Sequence, residues 1–197
     1  MLDFSNEAEQ RKNCLGPVPA GSIVLLEIEV LKPYNSAPEN SYISVAKTGL
    51  RQLYCKCSVT AGTYEGWSFR QNVTLNVGSQ RIVLTEGQTT ACKIGGSLIK
   101  AICLAAKKPL TIMDVTELTG YTFPAKVKIS PIPYMTNDGR AIWNNEISLI
   151  ITPQMPEYVE VCSRGEIINV GGAVTGNRNL TARNNTRSTD VDEVPFN

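Results

Sequence analysis

The sequence predicts a mostly β domain: five strands, one helix between the third and fourth, and a flexible C-terminal tail. Three observations carry this. Stretches of alternating apolar and polar residues recur between residues 22 and 152. A single segment switches to helical spacing. After Pro153 the apolar content falls away into a run rich in Gly, Asn, Thr and Arg, GGAVTGNRNLTARNNTRSTD, which has almost nothing to bury. A chain of 197 residues with 42% hydrophobic residues has room for one such domain and a tail. The boundary is expected at 153, with residues 1–153 as the domain and 154–197 as linker and tip.

Taken in order, residues 1–20 read as an irregular lead-in ending at Gly16-Pro17-Val18-Pro19. In the first strand (22–32) Val24, Leu26, Ile28 and Val30 share one face and Glu27 and Glu29 point away. A Pro/Asn/Ser-rich loop follows, up to Gly49. The second strand (50–60) sends Leu53, Cys55, Cys57 and Val59 inward and Tyr54, Lys56 and Ser58 outward. AGTYEG turns the chain into the third strand (67–77), with Phe69, Val73 and Leu75 inward and Arg70, Asn72 and Thr74 opposite. Ile94, Leu98, Ile102 and Ala105 (or Ala101) predict a helix whose firm part runs from Ser97 to Lys108, because Gly95-Gly96 weaken its start and Pro109 stops it. The fourth strand (121–130) turns Phe123, Ala125, Val127 and Ile129 inward and Lys126 and Lys128 outward. The fifth (141–152) places Ile147, Leu149 and Ile151 on one side. Beyond it, Tyr158–Cys162 and Glu166–Val170 read as short extended pieces.

Three strands, a helix and two strands is the element order of the five-stranded Greek-key OB barrel, which holds oligonucleotides or oligosaccharides on the face around its second and third strands. The side chains expected there are Tyr54, Lys56, Arg70 and Asn72, with Tyr64 and Trp67 in or beside the hairpin and Lys126 and Lys128 adding charge from the fourth strand. Rings with cations between them suit single-stranded nucleic acid, whose bases stack while its phosphates attract the cations. Trp67 at a strand start is read equally well as core, and the same question attaches to Trp143.

Composition excludes other classes. The chain has no histidine, so the commonest acid–base residue is missing, and it shows neither G-x-S-x-G nor a Walker phosphate loop. No enzyme and no cofactor is expected. The six cysteines include no CxxC, and their best reading is buried reduced thiols rather than a metal site. The start, MLDFSNEAEQ, has no basic region followed by an apolar one, and no apolar run could cross a bilayer. A cytoplasmic protein without membrane contact is expected. Charge is uneven: residues 1–153 carry 15 basic and 12 acidic residues, residues 154–197 four and six. A mildly basic body thus precedes an acidic end.

That end is DVDEVPFN. DVDEVPF resembles the acidic, Pro-Phe-terminated tip of bacterial and phage single-stranded DNA-binding proteins. The body, through LRQLYCKCSVTAGTYEGWSFRQNVTL and the NNEI of Asn144–Ile147, is similar to the phage-encoded members. The resemblance implies an OB barrel, a linker and a tip that recruits replication or recombination proteins. It also implies roles in phage DNA replication, recombination and repair in the host cytoplasm. Carried over, Asp190, Asp192 and Glu193 would meet a basic rim on a partner and Pro195-Phe196 an apolar pocket. The chain departs from the family in one respect: Asn197 follows the phenylalanine that usually bears the terminal carboxylate. The alternatives left open are a virion structural or assembly protein that binds only protein, and an RNA-binding module. A homo-oligomer is compatible with each.

Overall fold

The computed structural model describes residues 16–37, 40–75, 84–135, 138–139 and 141–169. The acidic tip, with Asp190, Asp192, Glu193, Pro195 and Phe196, lies outside the described residues, as does Cys14.

The elements in chain order are β1 (Ile23–Leu31), β2 (Ser36–Ala37), β3 (Asn40–Val45), β4 (Arg51–Val59), β5 (Ser68–Leu75), α1 (Glu86–Ala105), a 3-10 turn (Val115–Leu118), β6 (Thr122–Ile129), β7 (Tyr134–Met135), β8 (Ala141–Ile142), β9 (Asn145–Ile150), α2 (Glu157–Arg164) and β10 (Glu166–Ile167). The main sheet is antiparallel. β4 takes β5 along one edge and shares the other between β3 at Arg51–Leu53 and β1 at Tyr54–Val59. β1 also pairs with β6, which pairs with β9. Leu26 and Glu27 have partners on β4 on one side and β6 on the other, so β1 is an interior strand, and the sheet curls about it into a half-barrel. Its two ends, β5 and β9, approach each other, and the Ile147 N–H donates to Gln71 Oε1 at 3.2 Å across the opening.

The concave side is the core. Val24, Leu26 and Ile28, then Leu53, Cys55, Cys57 and Val59, then Phe69 and Val73, then Phe123, Ala125 and Val127 are all buried there. These are the inward sets that alternation predicts, each large side chain stabilising the fold by about 1.5–3 kcal/mol through burial.

Several expectations need correction. The loop after β1 contains β2 and β3; β2 pairs with β3, and β3 with β4. The helix begins at Glu86, eleven residues before Ser97, because Thr85 and Gln88 form a reciprocal capping box. It ends at Ala105 rather than Lys108. Lys107 and Lys108 lie past its end, over the rings of Tyr158 and Tyr121 at 5.7 and 5.5 Å. Gly95 is the point where α1 meets β5: a Cβ there would fall on the Thr74 carbonyl oxygen, whereas one on Gly96 would meet nothing. The buried stripe therefore runs through Cys92, Gly95, Ile102, Cys103 and Ala105, and Ile94 is 65% exposed instead of core.

On β9, Ile147 packs against the core but Leu149 is 46% exposed. Lys126 pairs with Leu149 and Val127 with Ile147, so Ser148 is an extra residue that inverts the alternation. Tyr158–Cys162 is helical, part of α2, not extended. Tyr158 and Val161 are buried, the Tyr158 hydroxyl donates to Ala105 O at 2.7 Å, and β10 pairs with Ile23 and Val24. Residues 154–169, assigned by composition to the linker, thus belong to the packed body.

Candidate nucleic-acid interface

The convex face of β4 and β5 carries the polar half of the alternating pattern. Register places Glu29, Lys56 and Arg70 in one row across β1, β4 and β5, and Leu31, Tyr54 and Asn72 in the next. Residues directly opposite on paired strands point the same way, so the expected residues Tyr54, Lys56, Arg70 and Asn72 form one surface. The chain leaving β1 folds over its edge. Lys32, Tyr34 and Asn35 then make one wall of a cavity of about 760 Å³ whose other walls include Tyr54, Arg70, Asn72 and Glu146. A neighbouring cavity of about 540 Å³ is bounded by Leu31, Lys56, Arg70 and Asn144. Arg70 belongs to both, so together they make one groove.

The groove is open and of mixed charge. Tyr34 is fully exposed at its rim. Lys56 Nζ lies 3.2 Å from Glu29 Oε2, and Lys128 Nζ lies 3.1 Å from Glu146 Oε2. Among the described residues neither Lys32 nor Arg70 forms an ion pair, so the groove retains two uncompensated cations. The Ser130 hydroxyl, donating to Glu146 Oε1 at 2.7 Å, holds the Glu146 carboxyl below its ordinary range against the opposing effect of burial, and Lys128 adds to the lowering.

Trp67 and Tyr64 are placed differently. Trp67 is half-buried against the core and its indole N–H donates to Asn145 Oδ1 at 2.9 Å. Asn145 is buried; the same oxygen accepts from the Val18 N–H at 2.9 Å, and its amide donates to Val18 O at 2.8 Å and Lys128 O at 3.3 Å. This hub ties the lead-in, the β4–β5 connection and the β6–β9 hairpin together. Tyr64 also packs against the core. Neither lines the two cavities of the groove. Lys126 lies away from them, opposite Leu149, and Lys128 reaches the groove only through Glu146.

Sequence reasoning missed Lys32, Tyr34, Gln71 and Glu146. Lys32, expected as the last residue of the first strand, lies just past the end of β1, Tyr34 sits in a loop whose Pro/Asn/Ser content gave no facing, and Glu146 is brought in by the curl of the sheet.

Among the described residues no group of three or more His, Cys, Asp or Glu side chains could hold a metal ion. Cys55, Cys57, Cys92 and Cys103 are free, buried thiols, and burial pushes Cys55 up to about 12 and raises Cys57 as well. Such thiols pack as small apolar groups and do not act as nucleophiles. No helix among the described residues is long and apolar enough to cross a membrane. No protein-family model, no curated protein and no solved structure matches this chain.

Proposed function

We propose that this chain is a sequence-independent single-stranded DNA-binding protein of phage DNA replication, recombination and repair, acting in the host cytoplasm and without enzymatic activity. Its curled sheet is read as a five-stranded OB barrel built from β1, β4, β5, β6 and β9, with α1 between the third and fourth. Supporting that reading are the antiparallel ladders β1–β4, β4–β5, β1–β6 and β6–β9 and the approach of β5 to β9. The observation that carries the function is the groove itself, where the rings of Tyr34 and Tyr54 stand among Lys32, Lys56 and Arg70 over the second and third strands of that barrel. Rings offer stacking to any base and cations follow the phosphates, a combination that tolerates sequence. The acidic tip is proposed to recruit replication or recombination proteins through Pro195-Phe196.

Gel shifts with oligo-dT, RNA of the same length and duplex DNA test the reading. The single strand should bind best, with a log–log salt slope near about −2 if three cations each neutralise a phosphate. Tyr34→Ala and Tyr54→Ala should each cost about 1–3 kcal/mol of binding with the fold intact. Lys32→Glu with Arg70→Glu should remove most affinity. Equal affinity for duplex, or full binding by the charge-reversed variant, overturns the proposal, and a preference for RNA reassigns the ligand. Deleting Asp190–Asn197 should leave DNA affinity unchanged or slightly raised while abolishing recovery of partner proteins.

A further inference from the structure

We infer that the trough between α1 and β9 is a second subsite for single-stranded nucleic acid, taking unstacked bases of the strand as it leaves the groove over β4 and β5. The inference rests on the reading of that groove and extends it. The trough has a volume of about 540 Å³, and its walls are Ile94, Leu98 and Ala101 from α1, Val73 and Thr74 from β5, and Ile147 and Leu149 from β9. Among the described residues no charged side chain lines it, yet two of its large apolar side chains are exposed, Ile94 at 65% and Leu149 at 46%.

Two features select a strand of nucleic acid as the occupant. The first is continuity. Gln71 and Asn72 wall both the trough and the larger cavity of the groove, and the Gln71 side chain accepts from Ile147 N–H between them. The two spaces therefore share a wall along β5. The second is charge. Lys126 is the cross-strand partner of Leu149, so its exposed side chain stands beside the Leu149 rim. On the opposite side Lys93 and Lys100, both exposed, fall on the solvent side of α1 next to the wall made by Ile94 and Ser97, at a helical turn of 3.6 residues. An apolar floor between cations on both rims matches a chain of bases flanked by phosphates. It also gives Lys126 a place on the nucleic-acid path that its distance from the groove denied it.

Fluorescence anisotropy on the full chain with two oligo-dT probes tests this, one of about six nucleotides that the groove alone can fill and one of about 25 that must run beyond it. Ile94→Ser combined with Leu149→Ser replaces two exposed side chains and should leave the melting temperature and the short probe unaffected. The long probe should lose roughly three- to tenfold in affinity. Lys126→Glu should give the same pattern, fading as salt rises. An unchanged long-probe affinity in both variants overturns the subsite. So does a serine variant that sediments as a smaller species than the parent, since the trough would then be a contact between copies of the chain. A parent protein that binds neither probe overturns the groove and the trough together, so the two failures are told apart.

Discussion

Two hairpins of the sheet treat their register differently. Along β4 and β5 the partners run from Arg51–Leu75 to Ser58–Ser68 without interruption, and every second residue of β4 is buried over nine positions. Along β6 and β9 the register shifts once, at Ser148, and the side chains on either side of it exchange faces. The first hairpin presents a continuous polar face, which becomes the floor of the groove. The second turns Leu149 out of the core beside Lys126 and so builds a rim of the trough. A strand's facing follows from alternation only while each residue keeps one partner. A single extra residue inverts everything beyond it without changing the composition of the segment.

The comparison breaks most visibly in stability. Leu53→Ala on the regular hairpin should cost about 2–5 kcal/mol in urea unfolding, because the side chain is fully buried. Leu149→Ala should stay within about 0.5 kcal/mol. Comparable losses at both positions would mean that Leu149 faces the core and that the register shift is absent. The neighbouring glycines of α1 offer a contrast of the same kind and a smaller size. Gly95→Ala drives a methyl group into the Thr74 carbonyl and should destabilise by about 1–3 kcal/mol. Gly96→Ala meets open space and should stabilise by up to about 1 kcal/mol, as a helix position relieved of glycine. A gain at both positions would separate α1 from β5.

The smallest effect concerns Glu146, where the second hairpin touches the groove. Glu146→Gln removes a carboxylate from the wall and frees Lys128, so single-strand binding at neutral pH should tighten by under about 1 kcal/mol. The carboxyl is held below its ordinary range, so its folded value lies beneath its unfolded one. Any stability it contributes is present above the unfolded value and lost as pH falls through the folded one. The affinity gap between the native chain and the variant should therefore persist below the ordinary glutamate value and close as pH falls through the lowered one. A gap that closes nearer the ordinary value would show that Ser130 and Lys128 do not hold the charge.

Much of the body was legible residue by residue. The inward sets of β1, β4 and β6 follow from period-two alternation, because a half-buried strand must divide its side chains between water and core. The outward set Tyr54, Lys56, Arg70 and Asn72 was legible for the same reason. Trp67 was not. Its ring suits a groove or a core equally, and what decides is the buried amide of Asn145, which lies 78 residues away in the chain. The start of α1 was misplaced because the cost of Gly95-Gly96 is visible locally, while the tertiary contact that requires Gly95 is not.

The sequence by itself determined the inward faces of β1, β4, β5 and β6 and set three carboxylates close to the C-terminal end. These depend on neighbours within a few residues, where solvation and backbone geometry act directly. Tertiary structure alone decided that residues 154–169 belong to the body, that Glu146 and Tyr34 meet across one groove, and that Lys126 stands by an apolar trough instead. Those outcomes depend on how the sheet curls about β1 and where its register slips, which are set by the simultaneous packing of many distant side chains.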